Sequence, residues 1–161
     1  MRGPNMPGLT AWLAAGLDLV NQVLAATIVL TLFSLVVYLL TYNLRSRVAR
    51  AFCALMAFVL LVYAGDVLLY QVSNPETAIR WLKFQWIGIA FVPAAYLHFS
   101  DALLRTLNLQ ARWRRVVTLL SYAAGGAFLG MVLFTELLVY DGVHEPLASH
   151  LQAGRFFWIF A

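Results

Sequence analysis

The sequence predicts an all-α, polytopic transmembrane helix bundle with four complete spans, the start of a fifth, and its N-terminus outside. Three observations carry that prediction. The 161 residues are 63% hydrophobic and 11% charged, with a mean hydropathy of +0.81. Four segments each supply the run of about 20 apolar residues that a bilayer core requires. Seven of the eleven Lys and Arg residues fall in two short clusters between those segments, 45–50 and 105–115. So apolar a composition excludes a disordered chain, a coiled coil and a soluble globular domain. The net charge of +4 is read by position, as topology information and not as a nucleic-acid footprint.

Residues 1–18 hold Pro4, Pro7 and a modest apolar patch. They read as an extracytoplasmic segment, with a short interfacial helix placing Trp12 at headgroup depth; a signal peptide is the alternative. The transmembrane helical region follows as 19–161. Its first span, 19–44, is uncharged, with Asn21 and Gln22 at one end and Tyr38 and Tyr42 at the other. The second, 51–72, is interrupted by Asp66, and the third, 81–104, contains Pro93 and ends near Asp101. The fourth, 116–138, is uncharged until Glu136. An exterior loop, 139–154, leads to Arg155 and the aromatic run Phe156-Phe157-Trp158-Ile159-Phe160, which reads as a fifth helix beginning in a truncated chain.

The loops set the direction. Arg45, Arg47 and Arg50, then Arg105, Arg112, Arg114 and Arg115, occupy two connections on one side, with no acid beside them. The opposite connections mix Glu76 with Arg80 and Lys83, and Asp141 and Glu145 with Arg155. Short basic loops stay cytoplasmic, so the N-terminus of this multi-pass chain is expected outside.

Small residues mark packing faces. Gly126 and Gly130 form a GxxxG pair, and Ala90 and Ala94 with Gly88 form a second strip. Packing inside one bundle is favoured over a homodimer. Pro93 removes an amide from its helix, so a kink is expected there. Cys53, in an apolar run, reads as a small buried hydrophobe.

Ionisable groups inside a membrane are costly and so are candidates for function. Asp66 lies about 22 Å from the inner end of its span, in the outer third. Tyr63 and Tyr70 share its helical face at i−3 and i+4. A carboxylate flanked by two phenols suits a polar pocket for a small ligand; pairing with Arg80 or Lys83 is the plainer reading. Arg80, Trp81, Lys83 and Glu136 complete the candidate ligand-binding set on that side, whose alternative is a ring of snorkelling anchors. At the other end, His98, Asp101 and Arg105 recur at i, i+3 and i+7. They form a candidate signal relay, or an interfacial salt bridge with the acid placed first.

Other chemistries fail on spacing. His144 and His150 lie six apart with no cysteine partner, so no metal site is expected, and the chain offers no haem clamp. It has no phosphate loop, nucleophile elbow or kinase signature. Lys83, the only lysine, sits at a helix mouth and not deep in a span as a retinal link requires. No catalytic residues and no cofactor are expected.

One stretch carries a family resemblance. Ile79-Arg80-Trp81-Leu82-Lys83-Phe84-Gln85-Trp86-Ile87-Gly88-Ile89-Ala90-Phe91-Val92-Pro93 continues through Ala94-Ala95-Tyr96-Leu97-His98-Phe99-Ser100. It resembles the third helix of the N-terminal seven-transmembrane sensor regions of bacterial histidine kinases. Gly154-Arg155-Phe156-Phe157-Trp158 is similar to that family's fifth helix at its start. The resemblance implies a signal-input region whose cytoplasmic output module follows in residues outside this chain. The expected partners are the lipid bilayer and a small ligand or membrane signal. A fragment of a transporter, or a structural subunit of a larger membrane complex, is the rival reading.

Overall fold

The structure, a computed structural model, describes residues 8–72, 74–107, 112–135, 139–144 and 149–153. Four helices follow in order: α1 (Gly8–Tyr42), α2 (Arg47–Leu69), α3 (Pro75–Thr106) and α4 (Arg112–Phe134). All four are long and apolar enough to cross a membrane. A helix answers the bilayer's main constraint, since lipid offers no partner to an unpaired backbone group. Several hydroxyls on these helices obey the same rule. Thr27, Thr31, Ser34 and Thr41 of α1 donate to carbonyls one turn back, as do Thr118 and Ser121 of α4.

Helix starts carry capping chemistry where it is expected. Ser46 accepts from the Ala49 amide at the start of α2. Asn74 caps α3, with Pro75 in the first turn and Glu76 at the positive end of the helix dipole. Two expectations about boundaries change. Among the described residues no separate interfacial helix precedes the first span: α1 runs unbroken from Gly8 through Asp18, over 35 residues. The fourth helix ends at Phe134, so Glu136 lies beyond it and outside the described residues. The helix α3 runs on through Pro93, whose ring is exposed.

Residues 139–154, expected as a plain loop, contain a β-hairpin. Strand β1 (Val139–His144) pairs antiparallel with β2 (Ser149–Ala153). The pairing shifts between Tyr140 and Gly142, leaving Asp141 as an extra residue on β1. Both strands pack beside α3. The proposed start of a fifth helix, 155–161, lies outside the described residues.

Each helix packs mainly on its sequence neighbours, in the row α1, α2, α3, α4, with α2 and α3 most closely joined. Short connections make neighbours antiparallel. The interiors are thin and built from small residues: Ala51, Ala78, Ala90, Ala94, Ala95 and Ala102 are all buried. Trp86 meets Val132 between α3 and α4, and Val36 and Leu39 meet Cys53 between α1 and α2. Cys53 is thus the buried hydrophobe its position predicts.

Glycine sets the closest approaches. A Cβ on Gly88 of α3 would stand 2.5 Å from the Phe58 carbonyl oxygen of α2. One on Gly125 of α4 would stand 2.7 Å from the Ala90 carbonyl oxygen of α3. The predicted strip on α3 is therefore a packing face on both sides. The GxxxG pair on α4 is not: nothing lies within 4 Å of a Cβ at Gly126 or Gly130. The glycine that packs is their neighbour, Gly125. Replacing Gly125 with Ala should accordingly lower stability by about 1–3 kcal/mol, while Gly126→Ala leaves it unchanged or slightly raised. Thermal unfolding of the two variants in detergent checks the contrast.

Candidate functional site

Asp66 lies 19 residues beyond the start of α2, about 28 Å along the helix, and faces α3. Its partner there is Gln85, whose Nε2 donates to Asp66 Oδ1 at 2.6 Å and to the Val62 carbonyl at 3.0 Å. Both amide hydrogens of that nitrogen are therefore used. Gln85 is only 5% exposed, so its long polar side chain is held between two helices. Gly65 makes this possible, because a Cβ there would fall 2.2 Å from Gln85 Cγ. The local sequence Gly65-Asp66 thus supplies a socket and the acceptor beside it.

The other residues expected around Asp66 turn to different partners. Tyr70 accepts a hydrogen bond from the Asn21 side chain of α1. Asp66 and Tyr70 therefore tie α2 to its two neighbours in turn: α3 through Gln85, α1 through Asn21. Tyr63 is half-buried on the same helix. Trp81 stacks edge-on against Phe84, ring centroids 5.5 Å apart. Arg80 is exposed and Lys83 half-exposed. Among the described residues, no ion pair joins either of them to Asp66, so the plainer electrostatic reading of that acid gives way to a hydrogen bond with a neutral amide.

Sequence reasoning passed over Gln85. The available signal was its status as an uncharged polar residue inside an apolar span, which in lipid demands a partner as a charge does. Its next neighbour, Trp86, belongs to the α3–α4 cluster with Val132. Two consecutive residues of α3 thereby grip α2 and α4.

At the other end of α3, Asp101 and Arg105 form the expected i, i+4 pair. Asp101 Oδ2 accepts from Arg105 Nε at 2.8 Å and from Nη2 at 2.5 Å. His98 does not join them; its Nδ1 lies 3.4 Å from the Tyr122 hydroxyl of α4, with the two rings edge-on. The three residues nevertheless share one cavity of about 450 Å³, open between the first turn of α2, the last turns of α3 and the start of α4. Arg47, Arg50 and Arg115 line it too. The two arginine clusters counted in the sequence thus converge at one end of the bundle. Among the described residues, no group of His, Cys, Asp and Glu is placed to hold a metal.

The Asp66–Gln85 bond has a measurable signature. In a double-mutant cycle on unfolding in detergent, Asp66→Ala and Gln85→Ala should couple by about 1 kcal/mol. Asp66→Ala and Arg80→Ala should be additive.

Residues 23–161 match a family model described as the N-terminal 7TM region of histidine kinase. No curated protein and no solved structure matches the chain significantly.

Proposed function

From a chain that belongs to the family of N-terminal 7TM regions of histidine kinases, we propose a signal-input region that passes an extracytoplasmic or intramembrane signal to a cytoplasmic, histidine kinase-like output module. The family is the membrane region of such kinases and not their catalytic domain, and four apolar helices agree with a multi-pass membrane protein. The inner membrane and an outside N-terminus are part of the proposal, supported by the convergence of the arginine clusters at one end.

The observation that carries the mechanism is the buried Gln85, bonded to Asp66 on α2 and adjacent in sequence to Trp86 in the α3–α4 cluster. A small ligand or a change in membrane state near Asp66, Tyr63 and Tyr70 competes for, or reinforces, that hydrogen bond. Because Gln85 and Trp86 are consecutive on a rigid helix, a shift that releases one strains the packing of the other. The helix α3 spans about 48 Å and ends in the Asp101–Arg105 pair, so a rotation or slide at one end moves the relay candidates His98, Asp101 and Arg105 at the other. The signal must bind the two packings with different affinity for this to transmit anything.

Two measurements test the proposal. Asp66→Asn and Gln85→Leu should each change the basal output of the full-length protein in a reporter assay, or its response to signal, at normal membrane levels. Unaltered output from both variants sinks the mechanism. Cysteines placed at Asn43 and Asn74 should be labelled from opposite sides of the membrane by an impermeant thiol reagent, Asn74 from outside; labelling of both from one side defeats the topology.

A further inference from the structure

The cleft at the arginine-bearing end has an electrostatic imbalance that the signalling proposal does not use. Both α2 and α4 begin here. The first turns of a helix expose amide hydrogens without intrahelical partners and carry the positive end of the dipole, where acidic residues are normally placed. Neither first turn contains an acid. Arg47 and Arg50 of α2 and Arg115 of α4 stand there instead and line the cleft. Cations therefore sit on two positive helix ends that face a common cavity.

The chain offers little to balance them. Asp101 is, among the described residues, the only carboxylate lining the cleft, and it is committed to Arg105 by two hydrogen bonds. Among the described residues, Arg47, Arg50 and Arg115 have no ion-pair partner. Arg114 stands in a smaller cavity of about 230 Å³ that shares Asp101 and Thr118 with the first. Its Nε is buried and has no hydrogen-bond acceptor. An unmatched N–H of a charged group is costly to bury, and the Arg114 guanidinium lies 5.7 Å from the Trp113 ring centroid.

The shape and depth of the cleft select the acceptor. It lies at the ends of the apolar helices, where headgroups would stand beside helices that cross a bilayer, and its walls include Ala51, Ala102 and Leu119 beside the arginines. Leu119 is 70% exposed and continues the apolar outer face of α4 with Val116 and Leu120. A phosphate with an attached acyl chain satisfies both surfaces, the anion against the arginines and the chain along Leu119. A free phosphate satisfies only the first.

We propose that this cleft binds the phosphate of an anionic phospholipid headgroup, and so anchors the ends of α2 and α4 to α3 through a lipid. Basic pockets between membrane helices are suited to such headgroups, and each arginine near the surface contributes about fivefold in affinity. The proposal requires neither the orientation nor the signalling role.

The test uses the full-length protein, stripped of lipid and reconstituted in nanodiscs holding phosphatidylcholine and phosphatidylglycerol in equal amounts. Lipids retained on release into the gas phase are counted by native mass spectrometry. The wild type should retain phosphatidylglycerol in preference. Arg47→Gln with Arg115→Gln should weaken that preference by about fivefold for each arginine removed. Arg80→Gln, at the opposite end, should not alter it. Arg115→Gln alone, an exposed position at the start of α4, should weaken the preference by about fivefold, which keeps the test decisive if the double arginine variant fails to insert. Equal retention of the two lipids by the wild type overturns the proposal, as does a preference undiminished by Arg115→Gln. Displacement of phosphatidylglycerol by inorganic phosphate at constant ionic strength would reassign the cleft to a soluble anion and overturn the lipid as its occupant.

Discussion

Close approach of α3 to both neighbours is the constraint on which the rest of this structure depends. In lipid the hydrophobic effect does not drive helices together, so their association rests on dispersion and interhelical hydrogen bonds, both of which fall off steeply with distance. Gly88 lets the α3 backbone reach the Phe58 carbonyl, and Gly125 lets α4 reach the Ala90 carbonyl. With those contacts fixed, aromatic rings close the remaining gaps: Phe52 on Phe99, Phe58 on Phe91 and Phe91 on Tyr122 have centroids 5.2, 5.4 and 6.1 Å apart. The same proximity allows a side chain as short as Asp66 to meet Gln85.

The polar interior follows a stricter rule than a soluble core does. A buried amide in water-filled surroundings can fall back on solvent, whereas Gln85 must find its acceptors among helices. It finds a carboxylate and a backbone carbonyl on α2, one turn apart, and Gly65 clears the path between them. Three consecutive facts about α2 thus depend on one residue of α3. The arrangement favours one rotation of α3 relative to α2, since a turn of the helix in either direction would strand both the amide and the acid. That is the property a transmitting element needs: a discrete preferred packing that a small perturbation can undo.

The architecture was legible in the sequence because its signal is coarse. Four apolar runs, two basic connections and an i, i+4 Asp–Arg pair all survive as α1 to α4, a converged arginine cleft and the Asp101–Arg105 bridge. What was not legible depends on relative helix rotation. The spacing of Gly126 and Gly130 is the same whether the pair faces a neighbour or open space, and only packing shows that Gly125 is the contact. Tyr63, Asp66 and Tyr70 share a helical face by arithmetic, yet a face wide enough for all three meets α1 at one edge and α3 at the other. Gln85 and Asp66 lie 19 residues apart, and no local pattern joins them. The hairpin at 139–153 was hidden for a different reason: its strands are short, and the bulge at Asp141 breaks their alternation.

The two ends of α3 are built on opposite principles, and the proposed signalling role draws on that asymmetry. Toward its N-terminus, Gln85 is neutral, buried and bonded across to another helix, so its bond strength changes little with ionic strength but is lost if the helices part. Toward its C-terminus, Asp101 and Arg105 are bonded within the helix itself, so the pair moves as part of α3 and keeps its geometry when neighbours shift. Around that travelling pair stand arginines on α2 and α4 whose charges belong to other helices. In the proposed mechanism, a displacement of α3 would carry the Asp101–Arg105 pair past those arginines and change its electrostatic contacts with them. A packing change at one end of the bundle would then be converted, by a single rigid helix, into a charge rearrangement at the other.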